Sequence, residues 1–534
     1  MEALITSLND FFDQIHWWEI GIIFIGFLAV VAIHDVFVQK KHTIKHNFPV
    51  VGHLRYLLEK IGPELRQYIV ANNREELPFN RSQRSWIYAS SKRENNLSGF
   101  GTDQDIYKAG HVFINPTLFP YTAPKEHPNK LDPTFVPCAK VIGLYNKRKK
   151  PFRPYSIANI SGMSYGSLSA KAVESMNKGA LKAGCYQNTG EGALSPYHTF
   201  GADVIFHFGT GYFGVRDDKG NFSMPRLVDL VQQNPFIKAI DVKLSQGAKP
   251  GKGGILPGIK ITPEIAAIRG LVPGKDALSP VTHSVFHNVP TMLDFFEEIS
   301  DKTGLPVGFK AAVGKLDEWY ILADEMVRRG TGPDFITIDG GEGGTGAAPP
   351  AFADSVSLPF IFGFSAVYKI FADRGLTNRI VFMASGKLGF PASALMAMSL
   401  GADVINVARE AMMSIGCIQA QVCHTNTCPA GVATSKKWLQ NGIDPTLKSE
   451  RLYNYIKTLR KEMLEITHAC GYEHPSQMKM TDIEVSMGDN NLTKKLFDVY
   501  GYEKTPVLFT GVQSMYDCQY LGGLGKKAAS PVIA

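Results

Sequence analysis

Three of the seven cysteines in the chain lie close together, at Cys417, Cys423 and Cys428. Thiolates are standard ligands of iron–sulfur clusters, and a last cysteine followed by proline, here Pro429, also ends the bacterial ferredoxin run. Three ligands with no fourth nearby favour a three-iron cluster. A zinc site with His424 as fourth ligand fits the spacing C-x5-C-x4-C poorly, because structural zinc sites usually contain a C-x2-C pair. Three buried thiols that bind nothing are a further alternative, and the softness of the ligands favours the cluster.

The bulk composition excludes several classes of protein. A chain of 534 residues predicts two to four domains, or one large barrel with additions. The formal net charge of +7 is mild, and no aromatic and basic module of a nucleic-acid-binding protein is present, so we expect no nucleic-acid partner. The cysteines outside the cluster are far apart and fit no secreted disulfide framework, which favours a reducing compartment.

An apolar segment near the N-terminus, residues 17–38, predicts a transmembrane helix that follows a short extramembrane segment, residues 1–16. Two tryptophans stand at its beginning, and the basic residues 40–46 follow its end. A buried core helix and a cleaved signal peptide fit this pattern less well. The positive-inside rule then predicts a single-pass protein of the inner (cytoplasmic) membrane, with its catalytic domain in the cytoplasm.

The composition and residue pattern of the chain change twice after this helix. Residues 39–153 are polar, basic and rich in proline and aromatic residues, which predicts an irregular collar with one amphipathic segment at residues 54–70. From residue 154 to about 482, short apolar runs alternate with helical patterns, such as those at 170–183, 291–302, 318–329 and 392–400. Residues 483–534 form a C-terminal extension without a readable pattern.

The alternation predicts an α/β fold with a parallel sheet. Eight runs can be counted, at residues 156–160, 185–189, 237–245, 277–280, 306–312, 334–339, 380–385 and 403–408. Eight units fit a closed (β/α)8 TIM barrel with insertions. A doubly wound open sheet is the alternative, but it gives the glycine-rich turns after several strands no shared purpose. In a barrel these turns share one rim, where glycines allow backbone N–H groups to approach a phosphate-bearing cofactor.

The segments GMSYGSLS, NTGEG, QGAKPGKGGILPG, GGEGGTGAAPP and GCIQAQVCHTNTCPAGVAT, in this order, resemble the FMN-binding synthase domain of glutamate synthase. The resemblance covers residues 156–434, and more loosely extends to 482. The whole chain is similar to the stand-alone, shorter group of FMN-binding glutamate synthase family proteins. The resemblance implies a barrel with FMN at its carboxyl rim and a 3Fe–4S cluster in the loop 416–434, held by Cys417, Cys423 and Cys428. It also implies that electrons pass from the cluster to FMN, which reduces 2-iminoglutarate to glutamate.

Position by position, the resemblance implies catalytic roles for Lys310 and Glu191. A fixed lysine at this place stabilises negative charge on a reduced flavin or on a substrate, whereas the alternative is a lysine paired with a carboxylate at the barrel mouth. Glu191 can hydrogen-bond an imine or ammonia and transfer a proton, or it can pair with Lys243 or Lys310.

The resemblance also implies a set of cofactor contacts in the turns and at the strand ends. The predicted set is Gly162, Met163, Ser164, Lys243, Gln246, Lys310, Gly340, Gly341, Gly343, Gly344, Ser385, Gly386, Lys387, Ala408 and Arg409. Lys249 belongs to the same matching segment as Lys243 and Gln246. Lys387 and Arg409 occupy the phosphate-binding loops of the barrel and are the candidates for the FMN phosphate.

The sequence departs from the family pattern on the substrate side. It has DGGEGGTG at 339–346 where the family has SGHDGGTG, and ASGK at 384–387 where the family has ADGG. The second loop has Ala193-Leu194 in place of Gly-Glu, and residues 280–285 read PVTHSV in place of PPPHHD. We therefore expect the fold and FMN to carry over better than the substrate.

The expected function is an FMN- and iron–sulfur-dependent oxidoreductase that aminates 2-oxoglutarate reductively. The chain shows no N-terminal cysteine nucleophile of a glutaminase and no dinucleotide-binding G-x-G-x-x-G motif, so we expect a separate electron donor: a ferredoxin, a reductase subunit or the quinone pool. The alternatives are a membrane-linked flavin dehydrogenase of another amino or N-alkyl amino acid, and a non-catalytic electron carrier or redox sensor.

Overall fold

The computed structural model describes residues 16–39, 41–123, 134–488, 492–507, 512, 517 and 519–521. The predicted N-terminal segment before His16, Lys40 of the basic flank and most of the chain after residue 507 lie outside the described residues. The chain divides into two compact units, one that ends at Arg84 and one that begins at Ser85.

The second unit contains a closed barrel of eight parallel strands, which confirms the predicted TIM barrel. In barrel order the strands are β2 (Ala158–Ile160), β3 (Gln187–Asn188), β4 (Val204–Phe208), β5 (Ile237–Lys243), β8 (Val307–Ala311), β9 (Phe335–Asp339), β10 (Val381–Ser385) and β11 (Val404–Val407). The last strand, β11, pairs with the first, β2, and so closes the barrel.

One predicted strand is not part of the barrel and one barrel strand was not predicted, so the number of strands is still eight. The third barrel strand is β4, a run of five buried residues that the sequence analysis did not count. The run at 277–280 is not in the barrel, because Ala277–Leu278 (β7) pairs antiparallel with Ile255–Leu256 (β6) in an insertion between β5 and β8. The segment with Lys243, Gln246 and Lys249 therefore follows the fourth barrel strand rather than the third.

Three further strands form a small antiparallel sheet in the same unit. They are β1 (Val112–Ile114), β12 (Ile483–Ser486) and β13 (Thr493–Lys495). Because β1 pairs with β12, a strand of the predicted collar lies against a strand of the predicted C-terminal extension.

Sixteen helices occur in the described part of the chain. They are α1 (Trp17–Ile33), α2 (Thr43–Asn47), α3 (Gly52–Leu65), α4 (Arg81–Lys92), α5 (Ala170–Ala183), α6 (Met224–Gln233), α7 (Pro263–Arg269), α8 (Val289–Thr303), α9 (Asp317–Arg329), α10 (Pro350–Ser355), α11 (Phe360–Ala372), α12 (Pro391–Leu400), α13 (Arg409–Ser414), α14 (Lys437–Gln440), α15 (Pro445–Ala469) and α16 (Leu496–Tyr500). The predicted helix at 170–183 has the observed bounds of α5, because Ser169 caps its first turn and Gly184, at φ 71°, ends it.

The first unit is helical. Helix α1 continues as a π-helical turn, His34–Val38, and together they form an apolar segment of 22 residues. Its most apolar stretch has a mean hydropathy of 2.4, and only 6% of that stretch is buried. This segment is long and apolar enough to cross a membrane. Helix α3 continues as a second π-helical turn, Arg66–Val70, so the amphipathic segment predicted in the collar is helical.

The amino end of the barrel is closed by the segment that precedes β2. Three side chains of this segment join seven from the barrel strands and their flanks in one buried apolar cluster. The cluster contains Cys138, Ile142, Phe152, Tyr186, Ile205, Ala239, Phe335, Val381, Met383 and Val404. Apolar burial of this kind supplies most of the driving force for folding.

Two buried ion pairs fix this segment to the barrel. Lys140 Nζ lies 2.8 Å from Asp403 Oδ2, and Arg148 Nε lies 2.9 Å from Asp334 Oδ2. Each aspartate directly precedes a barrel strand, and Arg148 also contacts Glu297 at 2.6 Å. Because removal of one partner leaves a buried charge without compensation, these pairs constrain where the segment can lie.

We expect the substitution Arg148→Met to lower the free energy of unfolding by about 3–5 kcal/mol, since Asp334 then stays buried without its cation. Urea unfolding of the full-length protein in detergent, followed by circular dichroism, measures this difference. The control is Arg328→Met, which removes an exposed pair with Glu325 and should cost less than about 1 kcal/mol. Equal unfolding midpoints for Arg148→Met and the unsubstituted protein would show that the buried pair does not hold the barrel.

Candidate active site

The predicted site residues all lie at the carboxyl ends of the barrel strands, on one rim. Gly162, Met163 and Ser164 follow β2, and Glu191 follows β3. The others end or follow later strands: Lys243 and Gln246 at β5; Lys310 at β8; Gly340, Gly341, Gly343 and Gly344 at β9; Ser385, Gly386 and Lys387 at β10; Ala408 and Arg409 at β11.

Glu191 and Lys243 form an ion pair in a pocket of this rim. Lys243 Nζ lies 2.9 Å from Glu191 Oε2 and donates a hydrogen bond of 2.6 Å to Gln246 Oε1. Burial raises the pKa of the Glu191 carboxyl, but the charge of Lys243 and a hydrogen bond from it, with smaller contributions from His207 and Lys249, lower that pKa to about 2. Glu191 is therefore an anion at neutral pH. Of the two lysines that the sequence offered as its partner, Lys243 and Lys310, the structure shows the pair with Lys243.

Lys249 adds a second cation to the pocket. It lines the pocket together with Glu191, Lys243 and Thr210, and its Nζ donates to the carbonyl oxygen of Ala347 at 2.7 Å. Burial lowers the pKa of Lys249 to about 8, although the negative charge of Glu191 opposes the shift. With two lysines and one carboxylate, the pocket attracts an anionic ligand near neutral pH.

Lys310 stands beside Lys243 in the parallel register of β5 and β8. Its Nζ lies 3.3 Å from Asp339 Oδ2, so the lysine has a carboxylate partner at the barrel mouth. Asp339 Oδ2 also accepts a hydrogen bond of 2.8 Å from the N–H of Gly247. Asp339, at the end of β9, was not predicted as a site residue, and it connects three strand ends.

A buried polar network lies among the strands that carry the pocket and was also missed. His207 Nδ1 lies 2.7 Å from Asp241 Oδ2, to which Asn188 Nδ2 donates at 2.8 Å. Asn188 Oδ1 accepts from the N–H of Gly190 at 2.9 Å, which positions the turn that carries Glu191. The signal in the sequence was a polar residue at an alternating position of a buried strand, His207 in β4 and Asp241 in β5.

Arg269 at the end of α7 is the other residue that the sequence analysis missed. The guanidinium is buried and donates to the carbonyl oxygen of Tyr165 at 2.5 Å and to Ser164 Oγ at 3.2 Å. A Cβ atom at Gly192 would lie 2.5 Å from Arg269 Nη2, so this position requires glycine. Arg269 therefore positions the turn after β2, next to the turn that carries Glu191.

Lys387 and Arg409 lie together at the ends of β10 and β11. Burial lowers the pKa of both side chains, and the charge of Arg409 lowers that of Lys387 further. Arg409 Nη2 donates to the carbonyl oxygen of Glu342 in the turn after β9. A Cβ atom at Gly340 would lie 2.5 Å from Phe360 Cβ, so this glycine allows close packing of the turn. Two neighbouring, partly buried cations suit a phosphate group.

The three clustered cysteines line one cavity. Its other walls are mostly apolar and include Met412 and Val422, whereas His424 is not among the described residues that line it. Burial raises the pKa of Cys417 to about 12 and that of Cys423 as well. In the described residues, no group of three or more Cys, His, Asp or Glu side chains is gathered closely enough to hold a metal ion.

Comparisons with known proteins show which proteins the chain is similar to. The family model described as the conserved region in glutamate synthase matches residues 121–473. The chain is 40% identical over 508 residues to the glutamate synthase large subunit-like protein YerD of Bacillus subtilis. This match covers 89% of this chain and 94% of that protein. It is 32% identical over 316 residues to the archaeal glutamate synthase [NADPH] of Methanocaldococcus jannaschii, and the match spans 58% of each chain. Among solved structures, a mandelate oxidase variant with an FMN adduct is 14% identical at a TM-score of 0.39, with 83% of this chain and 99% of that chain covered.

We expect the pocket to lose its affinity for carboxylates as Lys249 loses its proton, above a pH of about 8. Calorimetric titration of the full-length protein with glutarate should show a loss of about 1.5–3 kcal/mol of binding free energy, the worth of a hydrogen bond to a charged group. In Lys249→Arg the affinity for glutarate should stay unchanged to a higher pH than in the unsubstituted protein. Lys249→Met should bind glutarate weakly at every pH. The control is Lys252→Met, an exposed lysine of the same loop. If Lys249→Arg has the pH profile of the unsubstituted protein, another group controls the affinity.

Proposed function

Because the chain belongs to the glutamate synthase family and is an oxidoreductase of the class that acts on CH–NH2 donors, we propose that it forms glutamate from 2-oxoglutarate and ammonia. Ammonia condenses with the 2-oxo group with loss of water, and two electrons and two protons reduce the resulting 2-iminoglutarate. The electrons come from a separate donor, a ferredoxin, a reductase subunit or the quinone pool. The observation that carries this proposal is the pocket in which Glu191 lies beside Lys243 and Lys249.

The pocket suits a dicarboxylate that carries nitrogen. Lys243 and Lys249 supply positive charge for the carboxylates, and Glu191, an anion at neutral pH, accepts a hydrogen bond from an N–H of the imine or amine. Lys310, on the neighbouring strand, stabilises negative charge that develops during the reaction. Its pair with Asp339 holds the ammonium group in place at the mouth of the barrel.

FMN is the proposed cofactor of this rim. When bound, FMN supplies hydride transfer, which the side chains of the protein cannot perform themselves. Lys387 and Arg409 would hold its phosphate, together with backbone groups of Ser385 and Gly386 and of the turn that contains Gly340, Gly341, Gly343 and Gly344. Gly162, Met163, Ser164, Gln246 and Ala408 are the further proposed contacts. The fit rests on the two neighbouring cations and on the glycine-rich turns beside them, where Gly344 lies against the side chain of Arg409.

A 3Fe–4S cluster is the proposed ligand of Cys417, Cys423 and Cys428. The support is that the three thiols line one mostly apolar cavity. A bound cluster supplies one-electron transfer and thus a path from a one-electron donor. Because burial raises the pKa of Cys417 and Cys423, cluster binding must displace thiol protons, so the affinity for iron should increase with pH.

Membrane attachment through Trp17–Val38 is the third part of the proposal. The length and apolar character of this helix support a single span, with Trp17 and Trp18 at one end and basic residues after the other. The positive-inside rule then places the barrel on the cytoplasmic side of the inner membrane, where reducing conditions suit the free cysteines.

The reaction can be tested by anaerobic photoreduction of the purified full-length protein, followed by mixing with 2-oxoglutarate and ammonium. We expect reoxidation, seen in the flavin absorbance, together with formation of glutamate. Glu191→Gln should slow this step by about 100-fold or more, the usual contribution of a positioned acid–base group. The control is Glu264→Gln, a carboxylate of α7 that contacts Tyr197 at the surface.

Glutamate synthesis is contradicted if 2-oxoglutarate and ammonium leave the reduced protein unchanged. Reoxidation by another imino acid, or reduction of the oxidised protein by an N-alkyl amino acid, would instead identify a dehydrogenase of that substrate. A protein that exchanges electrons with a donor but with none of these substrates would be a carrier.

The cluster assignment can be tested with Cys423→Ser. We expect loss of bound iron and of the paramagnetic signal of the oxidised cluster, because one of three thiolate ligands is missing. Iron analysis and electron paramagnetic resonance measure both. Cys470→Ser, a half-buried cysteine at the end of α15, is the control and should keep both. Unchanged iron content in Cys423→Ser would show that other residues hold the metal.

A further inference from the structure

Helix α3 of the first unit carries an apolar stripe that the described residues of the chain leave exposed. Five large aliphatic side chains recur at intervals of one and three or four residues and fall within an arc of about 100° around the helix, the pattern of an amphipathic helix. They are Leu54, Leu57, Leu58, Ile61 and Leu65. Each is between 39% and 56% exposed. A continuous row of five exposed aliphatic side chains marks an interaction site.

The side of α3 that does pack within the unit is the opposite, more polar one. A Cβ atom at Gly52 would lie 2.9 Å from the carbonyl oxygen of Ile44, so the backbone is closely covered there. The centroid of the Tyr56 ring lies 4.7 Å from that of the His42 ring and 5.0 Å from Lys45 Nζ. The chain around α2 therefore holds α3 by its polar side and leaves the aliphatic stripe outward. A helix that served the core of a soluble domain would be turned the other way.

A buried aspartate joins the start of α3 to the end of the apolar segment Trp17–Val38. Asp35 is fully buried. Its Oδ2 accepts from the N–H of Val50 at 3.0 Å and lies 2.9 Å from His53 Nε2. The stripe thus begins directly beside the end of the proposed membrane span. Two further exposed side chains, Ile69 and Val70, extend the apolar surface into the π-helical turn.

The charges around the stripe favour an anionic surface. The segment from residue 41 to 70 contains five lysines and arginines and two glutamates, so its net charge is +3 without its histidines. The cations are Lys41, Lys45, Arg55, Lys60 and Arg66, and the anions are Glu59 and Glu64. Anionic lipid headgroups at the cytoplasmic surface attract basic residues next to a membrane span.

We propose that α3 lies in the headgroup region of the bilayer that the Trp17–Val38 helix crosses, with its aliphatic stripe toward the acyl chains. This inference rests on the proposed membrane span and adds a second, interfacial contact to it. Lipid is favoured over a protein partner because the stripe continues from the end of the span, and because basic residues flank an apolar face, the composition of interfacial helices.

The test uses the full-length protein in vesicles of phosphatidylethanolamine and phosphatidylglycerol. A dansyl-bearing amino acid replaces either Leu58, within the stripe, or Glu59, on the side of α3 away from it. A lipid with a nitroxide near its headgroup then acts as a quencher. We expect blue-shifted emission at position 58 that the nitroxide lipid quenches about twofold or more, because that side chain enters the interface. Position 59 should show emission typical of water and little quenching.

Two results would overturn the inference. Equal and weak quenching at both positions would show that α3 stays in water. Blue-shifted emission at position 58 that is not quenched, and that disappears on dilution with excess vesicles, would show that a second copy of the chain covers the stripe. Alkaline extraction of the same vesicles tests the membrane span separately. If the chain stays in the membrane but the label at position 58 is not quenched, only the interfacial position of α3 is refuted. If alkali releases the chain, the span is refuted, and the quenching at position 58 still decides whether α3 lies at the interface.

Discussion

The closure of the amino end of the barrel is the constraint on which the second unit depends. Two carboxylates, Asp334 and Asp403, stand at the starts of β9 and β11, the two strands that flank β10, and are almost fully buried. Their cations, Arg148 and Lys140, come from a segment that precedes the first strand. Since a buried carboxylate without a cation is strongly destabilising, the barrel and this segment must form together. The carboxyl rim at the other end is then free to carry charges that serve chemistry rather than stability.

The rim separates its charges into two places that suit different anions. Around Glu191, lysines meet a carboxylate, which suits a substrate with both charges. Around Arg409, two neighbouring cations suit a phosphate. Lys310 pairs with Asp339, which stands where the family pattern noted in the sequence analysis has serine. One of the departures noted in the sequence therefore alters the partner of a proposed catalytic lysine, which makes the identity of the substrate the most informative question about this protein.

The sequence predicted what repeats or is dense along the chain. Alternating apolar runs indicated the barrel, which the structure confirms. The density of three cysteines indicated an iron–sulfur cluster, which stays a prediction. The single strands were less certain. Strand β4 was missed because the 15 residues between β3 and β4 contain no α-helix that would mark a separate strand–helix unit, while the run at 277–280 resembled a strand but lies in an insertion. The polar residues His207 and Asp241 within apolar runs were the only local signal, and Arg269 has none. Folding brings them together from β4, β5 and α7, and only the contact geometry shows their connection.

The position of Lys140 has a consequence for how the protein is made. Its carboxylate, Asp403, lies 263 residues further along the chain, and β11, which follows Asp403, pairs with β2. A nascent chain that has not yet emerged beyond β11 can neither close the barrel nor compensate this lysine. The apolar helix at Trp17–Val38, in contrast, leaves the ribosome before any strand of the barrel. The order of synthesis therefore exposes the proposed membrane span before the barrel can close, so that insertion of this span would precede folding of the barrel.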